Sequence, residues 1–302
     1  MKRHFYFSSP GGRLGRQLAA GWLAAALLTA GGPAAAQSPA TRQPAEALGR
    51  GVVAVAQANG QVFISWRLLA TDANSTGFDV YRQPAGGAAV KLTTTPLTAS
   101  TNWVDTSAGT ATGTTYFVRA VRKGVAAAPS AAAPVWPQQF MRLPLQQPAS
   151  GVTPANETYT YSPGDCSVGD LDGDGQQEII VKWDPSNQKD NSQSGYTGNV
   201  YLDAYRLNGT RLWRIDLGRN IRAGAHYTQF LVYDLDGDGR AELACRTSDG
   251  TIDGTGAVLG NGAADYRTQY GYVLSGPERL TIFNGQTGAA YPSVTYLPQR
   301  HP

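Results

Sequence analysis

The strongest constraint on the fold is an acidic cassette, D-x-D-x-D-G-x-x-E, that occurs twice with the same flanking pattern. The first copy lies in VGDLDGDGQQEIIVKW at 168–183, and the second lies in VYDLDGDGRAELACRT at 232–247. Each copy runs directly into a short apolar segment that is typical of a buried β-strand. Because one such unit cannot bury its own apolar face, the repeat predicts a repeated all-β architecture.

Each cassette has the residues that a hard, oxygen-preferring divalent cation requires. Three carboxylates alternate along the chain, glycines allow a tight turn, and a Glu follows four residues after the third Asp. Acids this close repel one another unless a cation neutralises them, so a calcium loop is favoured over a solvated acidic turn. The predicted ligands are Asp170, Asp172, Asp174, the carbonyl of Gln176 and Glu178 in the first copy, and Asp234, Asp236, Asp238, the carbonyl of Arg240 and Glu242 in the second.

A second element recurs after each cassette. LDAYRLNGTRLWRI at 202–215 contains Asn208-Gly209, and such a pair is the strongest short-range signal for a β-hairpin. LTIFNGQTGAAYPSV at 280–294 has the same form with a longer turn. The unit of cassette, strand, loop and hairpin predicts blades of a calcium-binding β-propeller over 137–302. Because a propeller closes with about four to eight blades, we expect these units to form a partial, truncated propeller.

The residues before the cassettes predict a separate small domain. Short runs rich in β-branched and aromatic residues, such as QVFISWRL and TTYFVRAVRKG, alternate with Gly, Asn and Thr between 49 and 128. Val62, Ile64 and Trp66 fall on one face of a strand, and a buried Trp here is typical of an immunoglobulin-like or fibronectin III-like sandwich. We therefore expect a fibronectin III-like β-sandwich at 49–128 that serves as a structural or interaction module.

The N-terminus has the features of a secretory signal peptide. A basic start is followed by the apolar run LAAGWLAAALLTAGG and by a small-residue cleavage site, AAA. The run is short, interrupted by glycine and followed by Pro33, which disfavours a transmembrane anchor. We therefore predict a signal peptide at 1–36, a linker at 37–48, secretion, and no membrane partner once the signal is removed.

Composition and the absence of several motifs exclude other functions. The sequence has 25 Lys and Arg against 22 Asp and Glu, and the predicted signal holds four of the basic residues and none of the acidic ones. The mature net charge is then about −1, which leaves no basic footprint for nucleic acid. The sequence has no G-x-S-x-G, H-E-x-x-H, P-loop or CxxC motif, so serine hydrolase, zincin and nucleotide-binding functions have no support. Cys166 and Cys245 leave two alternatives open, a disulfide or two free thiols.

Two polar segments are weaker candidates for ligand contacts. KWDPSNQKDNSQSGYTGN at 182–199 is rich in Asn and Ser, and it either lines a carbohydrate groove or forms a solvated connection. WRIDLGRNIRAGAHYTQF at 213–230 gathers several basic residues, among them Arg219, Arg222 and His226. Arginine presents a fork that suits the carboxylate of an acidic sugar, while the alternative is structural pairing with the many Asp residues.

The segment 161–251, from YSPGDCSVGDLDGDG to CRTSDGT, resembles the start of the catalytic domain of polysaccharide lyase family 11, the rhamnogalacturonan lyases. GYVLSGPERLTIFNGQTG at 271–288 is similar to the same family, as are VFISWRLL and FDVYR in the preceding domain. The resemblance implies an eight-bladed, calcium-rich propeller behind a fibronectin III-like domain. It also implies a secreted endolyase that cleaves the rhamnose–galacturonate backbone of pectin by β-elimination.

The resemblance further implies roles for single residues. Asp165 is expected to join the cation ligands around the first cassette, and Asp184 matches a position that faces substrate. The family usually has Asn before Asp165, where this chain departs with Gly164. The basic residues that abstract the proton in the family are expected beyond Pro302, so no catalytic base is assigned. The predicted substrate-binding residues are Asp184, Arg219, Arg222 and His226.

Three functions follow as hypotheses. The favoured one is a lyase that acts on the pectic polysaccharide rhamnogalacturonan I. We expect this lyase to be a monomer with several bound Ca²⁺ ions. The 302 residues alone are expected to release no unsaturated product. The alternative is a non-catalytic, calcium-binding propeller that binds carbohydrate or mediates adhesion, because the chain shows no complete active site. A hydrolase on the same scaffold is the third, and it would produce reducing ends without an ultraviolet-absorbing product.

Overall fold

The computed structural model describes residues 48–108, 112–190, 192–224 and 227–300. Across these ranges the regular elements are β-strands, apart from one 3-10 turn at Ala58–Gly60, which confirms the predicted all-β class. No helix in the described ranges is long and apolar enough to cross a membrane. The predicted signal peptide at 1–36 and residues 37–47 of the predicted linker lie outside the described residues.

Eight strands form the first sheet. They are β1 (Val53–Ala56), β2 (Val62–Ser65), β3 (Gly77–Gln83), β4 (Val90–Lys91), β5 (Asn102–Asp105), β6 (Thr115–Arg122), β7 (Val125–Ala126) and β8 (Ala133–Trp136). They lie in the order β4-β3-β6-β8-β1-β2-β5, with β7 beside β6. All the pairs are antiparallel except β1 with β8.

The first sheet curls so that two of its parts share one core. Ile64 on β2, Val80 on β3 and Val118 on β6 are buried in the same cluster, although β2 and β3 lie far apart in the strand order. Trp66 packs against Phe78 in this cluster with ring centroids 5.5 Å apart. The predicted burial of Trp66 is therefore confirmed.

The first sheet extends past the boundary predicted at residue 128. β8 lies between β6 and β1, where Ala133 pairs with Tyr116 and Val135 pairs with Ala54. The Ala- and Pro-rich composition of this segment is typical of a linker, but strand pairing uses backbone groups that every residue except proline supplies in full. Composition alone therefore places the end of this sheet too early.

Twelve further strands form two larger sheets and a small hairpin. They are β9 (Gly151–Val152), β10 (Thr158–Tyr159), β11 (Tyr161–Gly169), β12 (Glu178–Pro185), β13 (Tyr201–Tyr205), β14 (Arg211–Asp216), β15 (Phe230–Tyr233), β16 (Glu242–Thr247), β17 (Thr251–Ile252), β18 (Val258–Leu259), β19 (Arg279–Phe283) and β20 (Val294–Thr295). The second sheet has the order β11-β12-β13-β14-β17-β18, and the third has the order β15-β16-β19-β20. Strands β9 and β10 pair only with each other in the described residues.

Both cassette units fold into the same antiparallel four-stranded pattern. The cassette joins β11 to β12 in the second sheet and β15 to β16 in the third, and β12 and β16 begin at Glu178 and Glu242. In sheet order the next two strands form a hairpin in each unit, β13 with β14 and β19 with β20. Strands β17 and β18, which follow β16 in the chain, extend the second sheet beyond β14. In the first unit the hairpin turn contains Asn208 and Gly209, and Gly209 has a φ of 86°. The predicted unit of cassette, strand, loop and hairpin is thus confirmed.

Apolar side chains from both units hold the second and third sheets together. Leu202 on β13 and Leu243 and Phe283 on the third sheet are fully buried in one cluster. The indole N–H of Trp213 on β14 donates to the carbonyl oxygen of Gly285 at 2.6 Å. Full burial of a Leu or Phe side chain contributes about 1.5–3 kcal/mol. This cluster therefore decides how the two sheets face each other.

The packing brings the two cassettes together at one end of the sheets, here called the acidic end. The amide N–H of Ala241 donates to the carbonyl oxygen of Asp170 at 2.8 Å, which joins the second cassette to the first. A Cβ on Gly173 would lie 3.2 Å from the Cγ of Arg240, so the Arg240 side chain covers the first turn. The two cassettes are therefore in direct contact.

The opposite end of the same sheets, here called the loop end, carries three long connections, at 186–200, 217–229 and 248–278, the last of which includes the short strands β17 and β18. These connections are tied to one another through their backbones. The amide of Lys189 donates to the carbonyl oxygen of Ala223 at 3.1 Å. The amide of Gly195 donates to the carbonyl oxygen of Tyr270 at 2.7 Å, so all three connections meet at this end.

Substitution of Leu243 by Ala is expected to lower the free energy of unfolding by about 2–5 kcal/mol, because it leaves a cavity between the two sheets. The measurement is urea unfolding followed by tryptophan fluorescence. Leu231 on the neighbouring strand β15 is 55% exposed, so Leu231→Ala is the matched control and should change stability by less than about 0.5 kcal/mol. Equal losses in both variants would contradict the described core.

Candidate functional site

The first cassette forms a turn around the buried carboxylate of Asp170. Its Oδ1 accepts a hydrogen bond from the amide of Gly173 at 2.8 Å, and its Oδ2 accepts one from the amide of Gly175 at 2.8 Å. The two glycines have φ values of 79° and 84°, which other residues rarely adopt. At the end of the turn, Glu178 Oε2 accepts a hydrogen bond from the amide of Leu171 at 2.9 Å.

Three carboxylates of this turn lie close enough to share a cation. One ligand oxygen from each of Asp170, Asp172 and Glu178 lies within 4.8 Å of the other two. Burial, together with the nearby carboxylates of Asp172, Asp174 and Asp170, raises the pKa of the Glu178 carboxyl to about 7. Mutual repulsion of this kind is relieved when a divalent cation lies among the oxygens.

Asp172 supplies a further indication of a cation. Its side chain is 9% exposed, and its Oδ2 accepts a hydrogen bond from the guanidinium of Arg206 at 2.6 Å. Its Oδ1 is buried and has no hydrogen-bond partner among the described residues. A buried acceptor without a donor is costly, so the residues of this turn fit a bound metal ion.

The second cassette repeats this geometry. Asp234 accepts hydrogen bonds from the amides of Gly237 at 2.7 Å and Gly239 at 3.0 Å, and Glu242 accepts one from Leu235 at 2.8 Å. Asp234, Asp236 and Glu242 form the second group of oxygens within 4.8 Å. One difference between the two groups was missed by the sequence analysis. The Arg206 guanidinium pairs with Asp172 in the first group, whereas no basic side chain among the described residues is seen to pair with Asp236 in the second.

The oxygens grouped by the structure are fewer than the predicted ligands. Asp174 Oδ1 accepts a hydrogen bond from the amide of Gln176 at 2.7 Å, and Asp238 Oδ1 accepts one from the amide of Arg240 at 2.8 Å. Neither Asp174 nor Asp238 belongs to the two groups of close oxygens. Their role as ligands, like that of the Gln176 and Arg240 carbonyls, stays a prediction.

Asp165 does not lie at the first cassette, where the sequence analysis placed it. It lies at a β-bulge in β11, beside Lys182 on β12, and its carboxylate accepts a hydrogen bond from the Lys182 ammonium. Lys182 is four residues beyond Glu178 on an extended strand, which corresponds to about 13 Å. Asp165, the fifth of the nine residues of β11, therefore lies away from the first cassette, and its role as a cation ligand stays a prediction.

Asp184 lies near Lys182 in the same region. Its Oδ1 is 3.8 Å from the Lys182 ammonium and has no hydrogen-bond partner among the described residues. Burial raises the pKa of the Asp184 carboxyl, the Lys182 charge lowers it, and the Asp165 charge raises it. The sequence analysis missed Lys182, although the signal was present: a lysine follows an apolar run inside a predicted strand.

The predicted substrate-binding arginines have different environments. Arg219 is half exposed, with its guanidinium 3.9 Å from the Asp265 carboxylate. Arg222 is buried and donates to the carbonyl oxygens of Asp190, Gln193 and Gly195. These contacts give Arg222 a structural role in the connection 186–200, whereas its contact with substrate stays a prediction.

Three other predictions concern single residues at this end or near it. His226 lies outside the described residues. Cys166 is exposed on β11 and Cys245 is buried on β16, and both are free thiols, so of the two alternatives left open the free-thiol form is confirmed. Burial raises the pKa of the Cys245 thiol to about 12, which makes it an inert core residue.

Comparison with known proteins assigns this arrangement to a family. The profile described as Rhamnogalacturonan lyase family 11, C-terminal domain, matches residues 140–302. The profile described as Rhamnogalacturonan I lyases beta-sheet domain matches residues 43–136. The chain belongs to rhamnogalacturonan lyase family 11. The predicted resemblance is thereby confirmed, and the two matched segments correspond to the first sheet and to the cassette units.

Individual relatives agree with this assignment. The chain is 57% identical to the rhamnogalacturonan endolyase YesW of Bacillus subtilis (strain 168) and 54% identical to the rhamnogalacturonan exolyase YesX of the same organism. Each match covers 84% of this chain and 40% of the relative. The solved structure of the Bacillus licheniformis rhamnogalacturonan lyase PL11 superposes with a TM-score of 0.78 at 58% identity, covering 85% of this chain and 42% of that one. The chain thus spans about two-fifths of the length of these relatives.

Substitution of Arg222 by Lys is expected to loosen the connection 186–200, because an ammonium cannot donate to three separated carbonyl oxygens as a guanidinium does. Hydrogen exchange of the amides between 187 and 198 should accelerate by about tenfold, which corresponds to about 1.4 kcal/mol. Arg219→Lys is the matched control and should leave this exchange unchanged. Unchanged exchange in Arg222→Lys would contradict the structural role.

Proposed function

We propose that this chain acts in the β-eliminative cleavage of rhamnogalacturonan I, the rhamnose–galacturonate backbone of pectin, as a secreted protein. The observation that carries the proposal is the loop end, where Arg219 presents a half-exposed cation and the Asp184 side chain, 15% exposed, lies near the end of β12. Long connections at one end of packed sheets are a common location for ligand sites. The endolyase and exolyase relatives support polysaccharide cleavage as the activity.

The chemistry of elimination explains why both charges are useful. The C5 proton of a uronate is only weakly acidic, so its removal requires neutralisation of the adjacent carboxylate and a positioned base. The guanidinium of Arg219 suits the first task, because arginine pairs with carboxylates in a bidentate manner. The carboxylate of Asp184 accepts hydrogen bonds from sugar hydroxyls and orients the ring. We assign no catalytic base among the described residues.

The two cassettes are proposed as calcium sites. Asp170, Asp172 and Glu178 supply hard oxygens within 4.8 Å of one another, and Asp234, Asp236 and Glu242 do the same. Calcium is favoured over magnesium because Mg²⁺ demands near-octahedral geometry and retains its waters, whereas Ca²⁺ accepts six to eight oxygens in flexible loops. The ion would neutralise the acidic turn before β12 or β16 and so stabilise the fold.

We also propose that the second and third sheets are consecutive blades of a β-propeller, behind a fibronectin III-like domain formed by the first sheet. The repeated four-stranded unit and the face-to-face core support this arrangement. The far face of the third sheet carries Leu231, Tyr233 and Val294, which are exposed apolar residues of the kind that a further sheet covers. The arrangement is tested by a crystal structure of a longer family member into which Leu231, Tyr233 and Val294 have been introduced.

The activity is tested with two proteins. Incubated with rhamnogalacturonan I, the chain itself is expected to bind the polysaccharide, as measured by affinity electrophoresis. A chimera that joins this chain to the part of YesW not covered by the match is expected to raise the ultraviolet absorbance through an unsaturated uronide. The chimera carrying Asp184→Asn should lose most of this activity, by about tenfold or more.

Other outcomes separate the remaining hypotheses. Binding by the chain together with an inactive, folded chimera would favour the non-catalytic carbohydrate-binding module. New reducing ends without ultraviolet absorbance would favour a hydrolase. If the chain does not bind the polysaccharide and the chimera does not cleave it, the proposed function is contradicted.

The calcium proposal predicts two ions per chain at these turns. Removal of calcium with a chelator should lower the melting temperature, because a ligand that binds only the native state stabilises it by about 2.7 kcal/mol at a hundredfold excess over Kd. Asp172→Asn and Asp236→Asn should each remove one ion, as measured by calorimetric titration. Glu157→Gln, which removes an acid paired with Lys189, is the control and should retain both ions. An unchanged melting curve and no calcium in elemental analysis would exclude the proposal.

A further inference from the structure

One backbone hydrogen bond ties the first cassette turn to the segment that leads into the first sheet. The amide of Gly49, four residues before β1 begins, donates to the carbonyl oxygen of Gly175 at 2.9 Å. In the described ranges, no other hydrogen bond or ion pair is seen between residues 48–136 and residues 137–300. These two parts of the chain therefore meet at one of the two proposed calcium sites.

Gly49 is held to the first sheet by its surroundings. Its carbonyl oxygen accepts a hydrogen bond from the guanidinium of Arg67 at 3.3 Å. The adjacent Arg50 donates two hydrogen bonds to the carboxylate of Asp72, and its guanidinium carbon lies 5.1 Å from the centroid of the Phe78 ring. Because Phe78 belongs to the core of the first sheet, the position of Gly49 follows that of the sheet.

Gly175 is held on its other side by the carboxylates of the cassette. Its amide donates to Oδ2 of Asp170 at 2.8 Å, and its φ of 84° is one that other residues rarely adopt. The amide of Gln176, which shares a planar peptide group with the Gly175 carbonyl, donates to Oδ1 of Asp174 at 2.7 Å. The direction of the Gly175 carbonyl therefore depends on where these two carboxylates lie.

The same turn contains a buried oxygen that calls for a cation. The side chain of Asp172 is 9% exposed, and its Oδ1 has no hydrogen-bond partner among the described residues. Without a cation this oxygen stays unpaired, and the carboxylates of Asp170 and Glu178 repel it. A rearrangement of the turn relieves both costs, and it carries the Gly175 carbonyl away from Gly49.

The second cassette lacks this connection, although it has the same motif. Gly239 corresponds to Gly175, and its amide donates to Oδ2 of Asp234 at 3.0 Å. A Cβ on Gly239 would meet no atom within 4 Å beyond its chain neighbours, and its carbonyl oxygen is not seen to accept a hydrogen bond from any described residue. The two turns therefore differ in what they hold in place.

The other attachment between the two parts is the chain that follows β8. Gln146 on this chain is fixed to the second sheet, because its amide donates to the hydroxyl of Tyr205 at 3.0 Å and its carbonyl oxygen accepts from the guanidinium of Arg214 at 2.6 Å. A body attached at one point can rotate about it, whereas a second point restricts that rotation. The hydrogen bond from Gly49 to Gly175 supplies the second point.

We propose that the first cassette is a calcium-dependent junction, in which a bound cation keeps the Gly175 carbonyl directed at Gly49 and so fixes the first sheet relative to the second. A ligand shifts an equilibrium toward the state that it binds better, and here that state is the closed junction. A cation at the second cassette stabilises its own turn only. The inference rests on the calcium sites of the proposed function and gives the two sites different roles.

The test measures the distance between two spin labels by pulsed electron paramagnetic resonance. One label is attached to Cys166, the exposed thiol on β11, and the other to Val125→Cys, because Val125 on β7 of the first sheet is 72% exposed. Cys245 is buried and stays unlabelled. With calcium present we expect a narrow distribution of distances. Chelation should broaden it, because the first sheet then rotates about the chain at 137–145.

Three variants assign the effect to the first cassette. Asp172→Asn should broaden the distribution even at saturating calcium, whereas Asp236→Asn is the matched control and should leave it narrow. Gly49→Pro removes the amide hydrogen without changing a carboxylate, so it should keep both ions in a calorimetric titration and still broaden the distribution.

Hydrogen exchange of the Gly49 amide gives a readout that needs no label. After chelation, and in Asp172→Asn, this exchange should accelerate by about tenfold or more, because the junction opens. In Asp236→Asn at saturating calcium it should stay at the wild-type rate.

The outcomes separate the junction from the calcium sites themselves. If calorimetry shows bound calcium but chelation leaves the distribution unchanged, the junction is overturned and the calcium sites are retained. Equal broadening in Asp172→Asn and Asp236→Asn, or an unchanged distribution in Gly49→Pro, would also overturn it. If the wild type binds no calcium, the calcium proposal fails and the junction fails with it. If Asp172→Asn does not fold, chelation of the wild type and the Gly49→Pro variant decide.

Discussion

Burial of apolar side chains between the second and third sheets is the interaction on which the assembly of both ends depends. Leu202, Leu243 and Phe283 are fully buried there, and together they set the two sheets face to face. This packing places the cassettes in contact at the acidic end, through Ala241 and Asp170. It also gathers three long connections at the loop end. Each group of cassette oxygens forms within one sheet, and the packing of the two sheets brings the two groups together.

Closely spaced carboxylates are compensated in different ways at the two ends. At the acidic end, backbone amides of the glycine turn surround Asp170, and the buried oxygen of Asp172 is left for a cation. At the loop end, the side chain of Lys182 lies between Asp165 and Asp184. The first arrangement suits a structural metal ion held inside the fold. The second compensates its carboxylates with a buried lysine of the protein itself.

Most of the fold was predictable because local patterns agree with it. The cassette Glu residues mark the starts of β12 and β16, and Asn208-Gly209 marks a hairpin turn, since both depend on a few adjacent residues. The candidate site was less predictable. Asp165 was expected at the first cassette five residues away in sequence, but a strand is extended, so those residues carry it away from the turn. Composition likewise could not show that β8 completes the first sheet.

The sequence by itself determined the repeat, the β-class and the acidic oxygens, because each of these follows from residue types at short spacing. Only the tertiary structure decided which polar side chains meet. Lys182 lies 17 residues from Asp165 and yet binds it, because β11 and β12 pair across a bulge. Arg222 has the same chemistry as Arg219, but its guanidinium donates hydrogen bonds to the carbonyl oxygens of the connection 186–200. Strand pairing and sheet packing bring together residues that are distant in sequence, and local sequence patterns do not predict these contacts.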